Sequence, residues 1–106
     1  MEAALKAIAE PRRRAILRLV KDAERPAGEI AAAFEDVTHA AVSQHLRVLK
    51  EAGLVSERRD GRRRLYRARP ESLQEVRAFL DAFWEDGLER LRREVESDER
   101  RKRFER

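Results

Sequence analysis

Hydrophobic positions recur at helical spacing through the first half of the chain. Leu5 and Ile8 share one face of a short helix over Ala3–Ala9. Pro11 suits the first turn of a second helix, where no amide donor is needed, and Ile16, Leu19 and Val20 continue it to Lys21. Asp22–Pro26 is a polar connection, followed by a third helix over Ala27–Phe34 with Ile30 and Phe34 facing inward. Glu35, Asp36 and Val37 break the pattern. Thr38 is placed to cap a fourth helix running to about Ala52, with Val42, Leu46 and Leu49 as its inward stripe. Gly53 stands where a left-handed backbone would end that helix.

The period then shortens to two. Leu54–Arg59 and Arg62–Ala68 flank Asp60-Gly61, a dipeptide that favours a two-residue hairpin turn. That turn predicts Val55 opposite Tyr66, Glu57 opposite Arg64, Arg58 opposite Arg63 and Arg59 opposite Arg62. Like charges directly opposed destabilise a hairpin, and an anionic partner at the tip would relieve them. Pro70 and Glu71 open a last helix. Its stripe of Leu73, Val76, Leu80 and Phe83 continues through Leu88, Leu91 and Val95, widened by Phe79 and Trp84. At about 1.5 Å per residue such a helix outruns a small domain, so the stripe is a candidate subunit interface. Ser97–Arg106 is almost all charged and is expected to fray as a tail outside a domain spanning 1–96.

Composition narrows the function. A chain of 106 residues is one domain. Cysteine is absent and there are two histidines, which excludes disulfides, thiolate metal sites and a three-histidine centre. No nucleophile–base set or phosphate-cradling glycine loop is present, so neither an enzyme nor a bound cofactor or metal is expected. No apolar run approaches the roughly 18 residues of a membrane span, and the acidic, helical N-terminus is unlike a signal peptide. A soluble cytoplasmic protein with no membrane partner follows. The net charge is +4, yet Ser56–Arg69 alone carries +5, from seven arginines against Glu57 and Asp60. Charge concentrated on so short a segment is an electrostatic footprint for a polyanion.

A short helix, a tight break and a capped helix followed by a basic hairpin is the order of a helix-turn-helix with a wing. In that geometry the second helix enters the DNA major groove. Its outward positions are His39, Ala40, Ser43, Gln44 and Arg47. Gln44 can pair with an adenine edge, Arg47 with guanine or phosphate, Ser43 with base or backbone, and Ala40 with a thymine methyl. Arg62, Arg63 and Arg64 at the hairpin tip would lie against the flanking backbone or minor groove.

The run VSQHLRVLKEAGLVSERRDGRRRLYR resembles the recognition helix and wing of the ArsR/SmtB-type winged helix-turn-helix repressors. AEPRRRAILRLV and GEIAAAF resemble the family's preceding helices, so the likeness covers about residues 3–69. It implies a mostly α fold with a small β-hairpin wing, in the order α-α-α-α-β-β-α. It further implies a homodimeric repressor of double-stranded DNA, paired through its first and last helices, with the DNA-contacting wing on Arg58 to Arg64, including Arg58, Arg62, Arg63 and Arg64. Leu5, Ile8, Leu73, Val76, Leu80, Phe83, Trp84, Leu88 and Leu91 would form that interface. The family's metal sensors carry paired cysteines in the helix that here is GEIAAAF, and none is present. The last helix carries Asp81, Glu85, Asp86 and Glu89 but no histidine. His39 and His45, six apart, do not share a helix face, and His45 is expected to pack under the wing. The chain is thus similar to the cysteine-free, non-metal-sensing branch, and a small-molecule effector, if there is one, stays unidentified. An alternative reading remains: a protein-interaction module using the long last helix, with the arginine hairpin adding only solubility.

Overall fold

The computed structural model describes residues 1–104, with side chains through residue 102. The elements run α1 (Glu2–Ile8), α2 (Pro11–Leu19), β1 (Arg25–Pro26), α3 (Ala27–Ala32), α4 (His39–Glu51), β2 (Val55–Asp60), β3 (Arg63–Ala68), a 3-10 turn (Pro70–Leu73) and α5 (Gln74–Phe104). The chain divides into two units, Met1–Val76 and a second that begins at Arg77.

Local chemistry sets the helix ends. Pro11 opens α2, and the Glu10 carboxylate accepts from the Arg13 amide at 3.0 Å. The Thr38 hydroxyl accepts from the Ala41 amide at 3.1 Å and caps α4. At the far end of α4 the Leu54 amide donates to the Leu49 carbonyl at 2.9 Å, and the Gly53 amide donates to the Lys50 carbonyl at 3.0 Å. This double closure requires a left-handed residue, and Gly53 supplies it at φ +76°. The chain is thereby turned directly from α4 into the wing.

The core of the first unit lies behind α4. Val42, Leu46 and Leu49 point into it as the helical spacing predicts, and join Ile16 of α2, Val20 at the end of that helix, Ile30 of α3, and Val55 and Tyr66 of the hairpin. Val76 is also buried there, so this member of the expected dimer stripe packs inside its own unit. Leu5, Ile8 and Leu73 pack against the same core, each partly buried. Arg13 binds the helices together. Its guanidinium donates to the Ala7 carbonyl at 2.6 Å and the Lys6 carbonyl at 3.1 Å, and lies 3.4 Å from Nδ1 of His45 on α4. His45 therefore faces α2 and not the underside of the wing, because the wing packs along the other flank of α4.

The sheet has three strands, in the order β1-β3-β2, where the sequence suggested only a hairpin. Arg25 pairs with Tyr66 and Pro26 with Leu65. Two residues are too few to show an alternation, and Pro26 is tolerated because β1 is an edge strand. The hairpin register also differs from expectation. Val55 faces Ala68, Glu57 faces Tyr66, Arg58 faces Leu65, Arg59 faces Arg64 and Asp60 faces Arg63. The turn residues are Gly61 and Arg62, not Asp60 and Gly61. A turn centred on Asp60-Gly61 would put both residues at positive φ; here only Gly61, at φ +64°, is positive. The predicted repulsive pairs Arg58–Arg63 and Arg59–Arg62 do not form. The last rung is instead an ion pair, Asp60 to Arg63 at 3.3 Å, and one like-charge rung remains, Arg59 with Arg64.

In the second unit α5 continues through the charged stretch for which the sequence assigned no fold, as far as Phe104. Residues 105–106 lie outside the described residues. Spacing explains the continuation: Glu96 pairs with Arg100 and Asp98 with Arg101, one helical turn apart. Phe79, Phe83, Trp84, Leu88, Leu91 and Val95 are exposed along the helix, and Phe79 meets Phe83 edge to face at 5.1 Å.

Candidate nucleic-acid interface

α3 and α4 are joined by a turn that is fastened to α2. Arg12 donates two hydrogen bonds to Asp36, at 3.0 and 2.6 Å, and its guanidinium sits 5.1 Å above the Phe34 ring. This fixes the entry of α4, whose inward stripe anchors it to the core. The outward residues His39, Ala40, Ser43, Gln44 and Arg47 are all exposed, as expected. Arg58, Arg62, Arg63 and Arg64 are exposed on the wing.

Part of each set meets on one side of the first unit, whereas His39 and Arg58 line neither hollow there, and Arg58, next to Glu57 in β2, projects from the opposite face of the sheet. An open groove of about 490 Å³ is lined by Ala40, Ser43, Gln44, Arg47 and Lys50 of α4, and by Glu57, Arg64 and Tyr66 of the wing. Beside it, Arg62, Arg63 and Arg64 border a second hollow with Pro26, Ala27 and Gly28 at the start of α3. A helix with small and amide side chains thus shares one opening with an arginine-rich arm. Ser43 and Gln44 offer hydrogen-bonding groups for base edges on the α4 wall, together with the cations Arg47 and Lys50, and the wing wall carries Arg64 beside the Glu57 carboxylate.

Most of these cations already have carboxylate partners. Arg47 pairs with Glu51 at 3.2 Å, and Glu24 takes both hydrogen bonds of Arg58, at 2.7 and 2.6 Å. A phosphate reaching Arg58 must first displace Glu24, 34 residues away in sequence. Lys50 donates to Glu57 at 3.1 Å, and Arg64 lies 3.9 Å from the other Glu57 oxygen. Among the described residues, Arg59, Arg62 and Arg67 make no ion pair. Sequence reasoning missed Lys50, Tyr66 and Glu24. Lys50 and Tyr66 carried a usable signal, since both fall near the α4–wing junction, whereas nothing local pairs Glu24 with Arg58.

The ion pairs shift their carboxylates. Lys50 holds Glu57 below its ordinary range, Arg58 does so for Glu24, and Arg12 for Asp36. Burial pushes the Tyr66 phenol up. Carboxylates held low in the folded state contribute stability that is complete above their unfolded range, near pH 4, and is lost as pH falls through the folded values. Thermal unfolding followed by circular dichroism should therefore give a midpoint that holds from pH 7 to about 5 and falls below about pH 4.

Comparison with known proteins places the fold in a family. A helix-turn-helix domain model matches residues 8–58. The chain is 42% identical over 85 residues to the HTH-type transcriptional regulator Rv2034 of Mycobacterium tuberculosis, covering 80% of this chain and 78% of that protein. A crystal structure of a possible transcriptional regulator for arsenical resistance is 48% identical, with a TM-score of 0.68, over 82% of this chain and 90% of that one. The solution structure of a homodimeric winged helix-turn-helix DNA-binding domain from Mycobacterium bovis, a possible ArsR-family regulator, is 33% identical, with a TM-score of 0.62, over 80% and 78%. The fold and these relatives together define a winged helix-turn-helix transcriptional regulator. The chain belongs to the ArsR/SmtB family of such regulators.

Among the described residues no helix is long and apolar enough to cross a membrane.

Proposed function

We propose that this protein is a homodimeric, sequence-specific repressor acting on double-stranded DNA in the cytoplasm. α4 lies in the major groove, with His39, Ala40, Ser43, Gln44 and Arg47 toward the bases. Arg62, Arg63 and Arg64 lie on the flanking backbone or minor groove, and Arg58 joins them only by releasing Glu24. Residues 1–96 carry DNA binding and pairing, with the charged end of the chain outside both. Two chains pair through the apolar stripe of α5, helped by Leu5 and Ile8 of α1. A two-fold axis then sets the recognition helices about 34–36 Å apart, so the operator is an inverted repeat. A dimer seated there occludes the duplex from other proteins, which is the basis of repression.

The observation that carries this reading is the single groove shared by α4 and the wing. The alternative, an interaction module without DNA binding, accounts for the stripe on α5 but leaves that groove without a purpose. The test is a mobility-shift titration against the DNA upstream of the protein's own gene and against random duplex, at two salt concentrations. The proposal expects tight binding to the former and a steep loss with salt, because phosphate contacts release counterions. Equal affinity for both DNAs would reject sequence specificity, and no binding to either would reject the DNA reading.

A further inference from the structure

We infer that Glu57 determines specificity: it is a fixed carboxylate on the floor of the groove that excludes phosphate and so penalises binding to arbitrary duplexes. This rests on the DNA-binding reading above.

A carboxylate at the centre of a surface built for a polyanion needs a reason. Four carboxylates pair with cations of α4 and the wing, and they are not equivalent. The side chains of Glu51 and Asp60 are 67% and 55% exposed, and that of Glu24 is 28% exposed. Ion pairs as open as the first two contribute little and exchange readily for phosphate. The Glu57 side chain is only 16% exposed, the least of the four. One of its oxygens accepts from Lys50 Nζ at 3.1 Å and from the Tyr66 hydroxyl at 3.2 Å. Tyr66 is its cross-strand partner and is itself buried in the core.

That second hydrogen bond decides the behaviour of the site. If Glu57 swung out to make room for DNA, the Tyr66 hydroxyl would lose its acceptor in a largely buried position, which is costly. Glu57 therefore stays when the groove fills. A phosphate entering between Lys50 and Arg64 meets a fixed like charge, which is repulsive. A base edge is treated differently. The exocyclic amino groups of cytosine and adenine are donors, and a carboxylate accepts from them. The floor of the groove thus admits the edges of bases and rejects the sugar–phosphate chain, while Ser43 and Gln44 on the facing wall read the bases so admitted.

The experiment measures operator and random-duplex affinity, each as a function of salt, for the full chain and for Glu57→Gln, which keeps the shape and removes the charge. The expected result is a rise of about tenfold in affinity for random duplex, with little change for the operator, so that the ratio between them falls. The salt dependence on random duplex should steepen by about 0.9 in log–log slope per subunit, the signature of one more phosphate contact. Glu57→Asp retains the charge and should retain most of the ratio. Tyr66→Phe keeps the charge but frees the carboxylate to rotate away, and should raise random binding by a smaller factor. If Glu57→Gln does not fold, Tyr66→Phe decides the matter by the same readout. Equal weakening on both DNAs would show that Glu57 only props the wing, and would overturn the inference. So would an unchanged ratio. Failure of the unaltered chain to bind any duplex would instead sink the DNA reading itself.

Discussion

Phe83→Glu combined with Trp84→Glu should yield a monomer that has lost roughly a hundredfold or more in operator affinity. In the single chain Phe83 and Trp84 are 64% and 61% exposed, in a stripe continued by Leu88 and Leu91. Burying each such side chain contributes about 1.5–3 kcal/mol, and a two-fold axis counts every position twice. The substitutions remove that gain and place unpaired carboxylates in an apolar seam, where desolvation opposes association. A monomer then holds one half-site and forfeits the effective concentration that joins the second binding event to the first. Sedimentation equilibrium and the mobility-shift titration read the two consequences separately. The unit Met1–Val76 does not include these residues, so its far-ultraviolet signal should change little. A double variant that remains dimeric would place the interface elsewhere.

The second large effect separates reading from holding. Gln44→Ala should lower operator affinity by about 1–3 kcal/mol per subunit while leaving random duplex almost unchanged, since a bidentate amide–adenine pair is lost only where the adenine is present. Arg63→Ala should weaken both DNAs by similar factors and flatten the salt dependence by about 0.9 per subunit. Arg63 gives up only an exposed pair with Asp60 when it meets phosphate, so its contribution is not masked by that partner. Titrations of both variants on operator and random duplex check the contrast. If the two substitutions changed specificity alike, the division of labour between helix and wing would be wrong.

The contrast between α4 and the wing also shows where local signals suffice. Thr38 and Gly53 bracket α4 because a cap hydroxyl and a positive φ are properties of single residues, legible wherever the chain presents them. The exposed set from His39 to Arg47 then follows from helical geometry alone. The hairpin register was less accessible. Asp60-Gly61 and Gly61-Arg62 are both plausible turn centres, and the choice depends on which confines positive φ to glycine and pairs Asp60 with Arg63. The shift moves Tyr66 opposite Glu57, and that rung supplies the groove with its fixed carboxylate. β1 has no periodicity to detect at two residues; it exists because β3 offers it an edge. The partnership of Glu24 with Arg58 depends on the tertiary fold, as does that of Arg13 with His45, since each joins elements distant in sequence.

The central claim is that α4 and the arginine wing address one duplex from the same side. Hydroxyl-radical footprinting of the operator tests it most directly, with Arg62→Ala/Arg63→Ala/Arg64→Ala as the comparison. The account predicts protected backbone flanking two major-groove segments one helical turn apart, and loss in the triple variant of only the outer protections assigned to the wings. Outer protections that persist in that variant, or a footprint without the one-turn repeat, would contradict it.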